Sequence, residues 1–274
     1  MLSLRKLLLT ATACLGAAGI ADAQTVRELG FEDRPSYLNS NEIVLTFDDG
    51  PDWNNTAQVL DILRDKGVKA SFFINGNNWS NIETEAPMQD LVRRMVNEGH
   101  ELGNHTQHHA HLADLSNEDI ESEISAVEDS VNRIFNGRGP RLTLLRAPHG
   151  EPYQNRQPDF DRVAGIVAQH AVHIGWNIDS NDWACAPDDG DCVRGNVIAA
   201  IDQGQYGVVL LHSVHSQTVA GLPDLIDDLR SRGFTFKKTE DAVRRKYGMS
   251  SAELLRRIFV PTVGPVEVDR FRIF

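Results

Sequence analysis

Cysteine is scarce in this chain, with three in 274 residues, and none form a C-x-x-C pair. That excludes the usual spacing of a structural zinc ribbon. There is no G-x-S-x-G elbow, no P-loop and no G-x-G-x-x-G turn, so the common serine-hydrolase, nucleotide-hydrolase and dinucleotide signatures are missing. His100-Glu101 suggests a zincin, but the next histidine in line, His105, comes five residues after His100 instead of four, so H-E-x-x-H is absent too. Positive charge is in deficit, with 27 Lys and Arg against 39 Asp and Glu and a formal net charge of −12. Such a surface gains little from phosphate backbones or anionic lipid, so neither nucleic acid nor a membrane surface is an expected partner. No repeat or low-complexity block interrupts the chain, and glycine and proline are at ordinary levels, which argues against disorder.

The start of the chain reads as an export signal. Arg5 and Lys6 precede an almost unbroken apolar run from Leu7 to Ile20, and Ala21-Asp22-Ala23 places small residues where a signal peptidase reads. The run is short for a bilayer span, so residues 1–23 are assigned to a cleaved signal peptide, with an N-terminal anchor as the alternative. Cys14 lacks the leucine expected three residues before a lipidated cysteine, since Ala11 stands there. Export to the periplasm or the extracellular space follows, with no membrane insertion after cleavage. In that oxidising setting Cys185 and Cys192 are expected to pair, with two free thiols as the alternative.

The rest alternates strand and helix. Strand patterns fall at Glu42–Phe47, Ala70–Ile74, Glu101–Gly103, Leu142–Leu145, His173–Trp176, Gly207–Leu211 and Phe234–Phe236. Helical spacing is read over Thr56–Lys66, from Pro87 to Gly99, from a Ser116 cap to about Phe135, and over Phe160–Gln169, Val193–Asp202 and Leu222–Arg230. Thr239 is read as the cap of a further helix, and a short one follows at Ala252–Ile258. About seven βα units suggest an incomplete parallel barrel. The expected division is a lead-in at 24–40, one domain at 41–248, and a helix and tail at 249–274.

The chemistry-bearing residues gather where strands end, the place parallel α/β proteins use for catalysis. Thr46-Phe47-Asp48-Asp49-Gly50-Pro51 ends the first long strand with two carboxylates. One can bind a metal while the other stays free as a base; the bland reading is a turn whose aspartates hold backbone N–H groups. His105 and His109 have i, i+4 spacing, which on a helical turn places both rings on one face for a metal. Arg146 suits fixing a carboxylate, or a rim salt bridge. Asp182-Trp183 and His212 offer a carboxylate-held imidazole fit for a general acid, or simple packing.

Together these motifs resemble the polysaccharide deacetylase family, also called the NodB-homology family or carbohydrate esterase family 4. The resemblance rests on TFDDGP at 46–51, HTxxH at 105–109, RxP at 146–148, DxxDW at 179–183 and LxH at 210–212. It implies a distorted (β/α)7 barrel and metal-dependent hydrolysis of acetyl groups on an acetylated glycan. The commonest substrates of the family are N-acetylglucosamine polymers such as chitin or peptidoglycan. By the resemblance Asp48 is the base, Asp49, His105 and His109 hold Zn²⁺ or another divalent ion such as Co²⁺, and Arg146 holds the base. Asp182 partners the acid His212, and Trp183 and Leu210 wall the acetyl group. His149 stands where the family usually has tyrosine, and its backbone N–H is the expected oxyanion donor. Ala110 replaces a proline common after the second histidine ligand. An O-acetyl esterase acting on xylan and an inactive glycan-binding barrel are the alternatives, and an iron oxygenase built on two histidines and a carboxylate is disfavoured by the second aspartate.

Overall fold

The computed structural model describes residues 26–258; the predicted signal peptide and residues 259–274 lie outside the described residues. Within them, nine strands form one parallel sheet: β1 (Glu28–Leu29), β2 (Glu42–Asp48), β3 (Ser71–Ile74), β4 (Glu101–Asn104), β5 (Leu144–Leu145), β6 (Val172–Ile174), β7 (Ile178–Asp179), β8 (Gly207–His212) and β9 (Thr235–Phe236). The order is β1-β6-β5-β4-β3-β2-β8-β7, with β9 beside the start of β2. The sheet curls into a distorted (β/α)7 barrel. Its seam, between β6 and β7, is bridged by the lead-in: Gly175 N–H donates to Leu29 O, and the Asn177 amide donates to Glu32 O.

Alternation along the strands explains what faces where. On β2, Ile43, Leu45 and Phe47 enter the large outer core under the helices, as do Val209 and Leu211 on β8. Val44 and Val208 belong instead to the inner cluster. The inner face of β2 therefore continues through Thr46 to Asp48, and that of β8 through Leu210 to His212. Asp48 and His212 are register partners on adjacent strands.

The outer core is closed by α1 (Thr56–Lys66), α2 (Ala86–Asn97), α3 (Asn117–Ile134), α5 (Gly190–Asp202) and α6 (Ser216–Ser231), while α4 (Phe160–His170) packs with the start of α3 in a separate cluster. On α3, Ile120, Ile124, Val127, Val131 and Ile134 are buried on one stripe, and the Ser116 hydroxyl accepts from Asp119 N–H at the cap. Two shorter helices, α7 (Thr239–Tyr247) and α8 (Ser251–Ile258), follow.

Several boundaries differ from the sequence reading. Thr239 is the first residue of α7 rather than its cap; Lys238 holds that place, with Asp241 accepting from its backbone N–H. Helix α5 begins three residues before Val193 because Asp189 caps it by accepting from Cys192 N–H. Helix α6 begins at Ser216, and Pro223 lies inside it. Strands β1 and β7 have only two residues each. The Cys185–Cys192 disulfide is formed, tying the loop after β7 to the first turn of α5.

Candidate active site

Strand ends β2, β4, β5, β7 and β8 surround a cavity of about 450 Å³ whose lining includes Asp48, Asp49, His105, His109, His149, Leu210 and His212. Alternation puts Asp48 inside, and would put Asp49 outside if the strand continued. Instead Asp49 has φ 72°, a left-handed conformation that ends the strand and turns its carboxylate into the same cavity. Such conformations gather at this site: Thr106 (φ 69°), His109 (φ 57°), His149 (φ 59°) and Asn181 (φ 49°).

The two histidines converge, though not as the i, i+4 spacing suggested. Residues 105–109 form an irregular loop, not a helical turn. The left-handed residues Thr106 and His109 fold the loop back, so the two rings sit with centroids 4.9 Å apart. His105 Nε2 lies 3.4 Å and His109 Nε2 3.2 Å from Asp49 Oδ1.

These three residues offer ligand atoms all within 4.8 Å of one another, and they are the one such group among the described residues. Two further observations fit a cation. Asp49 Oδ1 is buried without a hydrogen-bond partner, a state that is unfavourable unless a positive charge completes it. His105 Nδ1–H donates to Arg146 O at 2.7 Å, which fixes the tautomer and leaves Nε2 as a lone-pair donor. Burial, reinforced by repulsion from His105, lowers His109 to about 3, so its ring is neutral and able to ligate at neutral pH. Burial works against ionising Asp49, but the surrounding imidazoles of His105, His212 and His109 outweigh it and hold the carboxyl well below the usual range.

Asp48 sits beside this group, its Oδ2 3.6 Å from His105 Nε2. Its other oxygen accepts from Arg146 at 2.8 Å. Arg146 is wholly buried and crosses the barrel interior. It donates to Thr46 Oγ1 and to the carbonyls of Ile174 and Gly175, under the face of Phe73 at 4.4 Å. Every direction of the guanidinium is thus fixed, and Asp48 keeps one oxygen free.

On the opposite wall, Asp182 accepts from both the ring and the backbone N–H of His212, each at 2.7 Å. Thr218 Oγ1 and the Gln217 side chain hold Asp182 from α6. Burial would lower His212, but the charge and hydrogen bond of Asp182, aided by Asp49 and Asp48, raise it to about 9. Trp183 is 61% exposed at the rim, whereas Leu210 is buried in the wall. His149 stacks on His111 at 3.9 Å and meets His109 edge-on. After it, Gly150 (φ 72°) admits the Trp176 ring, which a Cβ there would meet at 2.6 Å.

All ten residues singled out in the sequence border this cavity or support its walls. Sequence reasoning missed Thr46, Gln217 and Thr218 as supports, and Trp176, Asp179 and His215 in the lining. Of these, Thr46 and Asp179 carried a signal: Thr46 stands two residues before Asp48 on the same strand face, and Asp179 opens the DxxDW motif.

Comparison with known proteins agrees. The polysaccharide deacetylase family model matches residues 37–166. A chitin deacetylase from Colletotrichum lindemuthianum is 36% identical over 198 residues, covering 70% of this chain and 75% of the relative. A peptidoglycan-N-acetylglucosamine deacetylase from Bacillus cereus is 33% identical over 202 residues, covering 72% of this chain and 66% of the relative. The solved structure of the Colletotrichum enzyme superposes with a TM-score of 0.62 at 31% identity, over 78% of this chain and 90% of that one. With a shared barrel, and with five strand-end motifs meeting in one cavity, the chain belongs to the polysaccharide deacetylase family.

Proposed function

We propose that the chain removes N-acetyl groups from a glycan containing N-acetylglucosamine, of the chitin or peptidoglycan type, with a divalent ion held by Asp49, His105 and His109. The observation that carries this is the orphaned Asp49 oxygen between two imidazoles, with Asp48 left free beside them. Two imidazoles and one carboxylate suit Zn²⁺ or Co²⁺, and three protein ligands leave open positions.

A divalent ion there supplies Lewis acidity, which makes water acidic near neutral pH and polarises a carbonyl oxygen. The free oxygen of Asp48 takes the proton from the attacking water, and the hydrogen bond from Arg146 keeps that carboxylate aimed. The backbone N–H of His149 stabilises the developing oxyanion, at on the order of 3 kcal/mol for one donor. His212, with Nδ1 engaged by Asp182, gives a proton from Nε2 to the leaving sugar nitrogen. The C–N bond breaks, leaving acetate and a free amine. Trp183 and Leu210 line the space for the acetyl methyl. The chain works after export, a setting that suits its disulfide.

The test is mass spectrometry and acetate release with zinc-loaded protein on chitin oligomers and peptidoglycan fragments, with acetylated xylan as a comparison. Loss of acetyl groups from the first two supports the reading. Release from xylan alone favours the O-acetyl esterase, and binding without release favours an inactive barrel. Asp48→Asn is expected to lower kcat by at least about 100-fold while zinc stays bound. Undiminished turnover would remove Asp48 from its role as base.

A further inference from the structure

His109 and His149 come from different loops, and both are held in the left-handed region, at φ 57° and 59°. A non-glycine residue stays there only where its surroundings over-determine it. For His149 part of the reason lies in the backbone. The N–H groups of Gly150 and Glu151 donate back to Ala147 O and Pro148 O, each at 3.1 Å, and close this segment into one tight turn. The rest comes from outside the turn, from a side chain that the proposed reaction does not use.

That side chain is His111. Its ring lies flat on the His149 ring, with centroids 3.9 Å and planes 12° apart. Its Nδ1 bonds Glu151 Oε2 at 2.8 Å, and since a carboxylate only accepts, Nδ1–H is the donor. His111 therefore holds the turn at two points, His149 and Glu151. It is itself well anchored. Leu112 beside it is fully buried in the cluster that contains Ala147. Asp114 N–H donates to His111 O, and Arg162 from α4 donates to Ala113 O at 2.8 Å. Two residues before His111 stands His109, whose ring meets His149 edge-on at 4.5 Å. The segment that carries this metal ligand and the turn that carries His149 are thus fastened by a stack, an edge contact and a charge-assisted hydrogen bond.

As a surface ion pair His111 and Glu151 would be worth little, since their side chains are 49% and 33% exposed. Their place matters more than their strength. We propose that His111 and Glu151 are positioning residues, a clamp that fixes the His149 N–H, the oxyanion donor, relative to the metal triad. This rests on the deacetylase reading above. The oxyanion develops only on the way to the transition state, so a displaced donor lowers kcat and leaves substrate affinity as it was. Full loss of one such donor costs about 100- to 1000-fold. Loosening the turn without deleting the N–H costs less, about tenfold. Asp49, His105 and His109 are untouched, so zinc should stay bound.

The experiment uses the zinc-loaded chain on the pentamer of N-acetylglucosamine. It compares the unaltered protein with His111→Ala, His111→Phe, Glu151→Gln and the double variant of His111→Ala with Glu151→Ala. His111→Ala is expected to lower kcat about tenfold, with KM and zinc stoichiometry unchanged. His111→Phe keeps the stack and Glu151→Gln keeps an acceptor, so each should retain most of what His111→Ala loses. The double variant should lose no more than His111→Ala alone, because the Glu151 side chain acts through His111. Amide exchange over residues 147–152, followed by mass spectrometry, reads the turn without catalysis. It should quicken about tenfold in His111→Ala and stay near the original rate in His111→Phe. Undiminished kcat in His111→Ala, or a fall matched by lost zinc or a raised KM, would overturn the clamp while the deacetylase reading stands. An unaltered chain that frees no acetate would end that reading, and the donor role with it.

Discussion

In the proposed mechanism, His212 is fit to act as the acid because of what surrounds Asp182. Asp182 is buried, and Thr218, Gln217 and the His212 backbone fix its position before any substrate arrives. Its charge lifts His212 from the ordinary 6.5 to about 9. The proton-donating form is therefore present at neutral pH and is lost as pH rises through about 9, so kcat should fall on that side. Asp182→Asn removes the charge and leaves the burial, so the falling limb should move down towards or below 6.5. A pH profile of acetate release checks this, with a loss of about tenfold or more expected near pH 8. A limb that stays in place would mean another group sets it. The motif DxxDW pointed to Asp182 in the sequence, but Thr218 and Gln217 carried no mark there, because side chains from a helix 36 residues away reach the site only through tertiary packing.

Element by element, legibility followed length and periodicity. Strand β2 and helix α3 were readable because each repeats its pattern over several residues and α3 starts at a serine cap. Strands β1 and β7, with two residues apiece, have no period to detect. Helix α6 was misjudged at its start because Pro223 reads as a boundary. Its first turns persist through tertiary contact: Gly221 packs against Gly190 at the start of α5 so closely that a Cβ on it would sit 2.5 Å from Gly190 O. The i, i+4 reading of His105 and His109 picked two residues that do converge, but by the wrong geometry, since left-handed backbone at Thr106 and His109 leaves no periodic trace. The disulfide belongs to this scale as well, for it clamps the segment just after Asp182 and Trp183 to α5. With a sequence separation of seven, loop-closure entropy gives a stabilisation of about 2.5 kcal/mol. Cys185→Ser with Cys192→Ser should therefore lower Tm by roughly 5–10 °C. Thermal melts in oxidising buffer check it, and melts that coincide with the native chain would show that the clamp contributes nothing.

For the whole molecule, the (β/α)7 arrangement brings residues as far apart in sequence as Asp48 and His215 into one cavity. That convergence has an energetic consequence which can be read without substrate. Asp49 Oδ1 is buried and unpartnered, and His109 is held neutral by burial and by His105. The site thus carries a buried carboxylate oxygen without a hydrogen-bond partner beside imidazole lone pairs, an arrangement that a bound cation would stabilise. An ion that binds the folded chain alone stabilises it by about 4 kcal/mol when present at a thousandfold excess over its Kd. For a domain of this size that corresponds to a rise in Tm of roughly 8–16 °C on adding zinc to chelator-treated protein. Asp49→Asn should abolish most of the rise, because the buried charge that attracts the ion is gone. Asp48→Asn should keep most of it, since that carboxylate is already matched by Arg146. Calorimetric melts of the three proteins, with and without zinc, separate the ligand from the base by a measurement that involves no catalysis. A rise that vanished equally in both variants would place Asp48 in the metal shell and remove it as the free base.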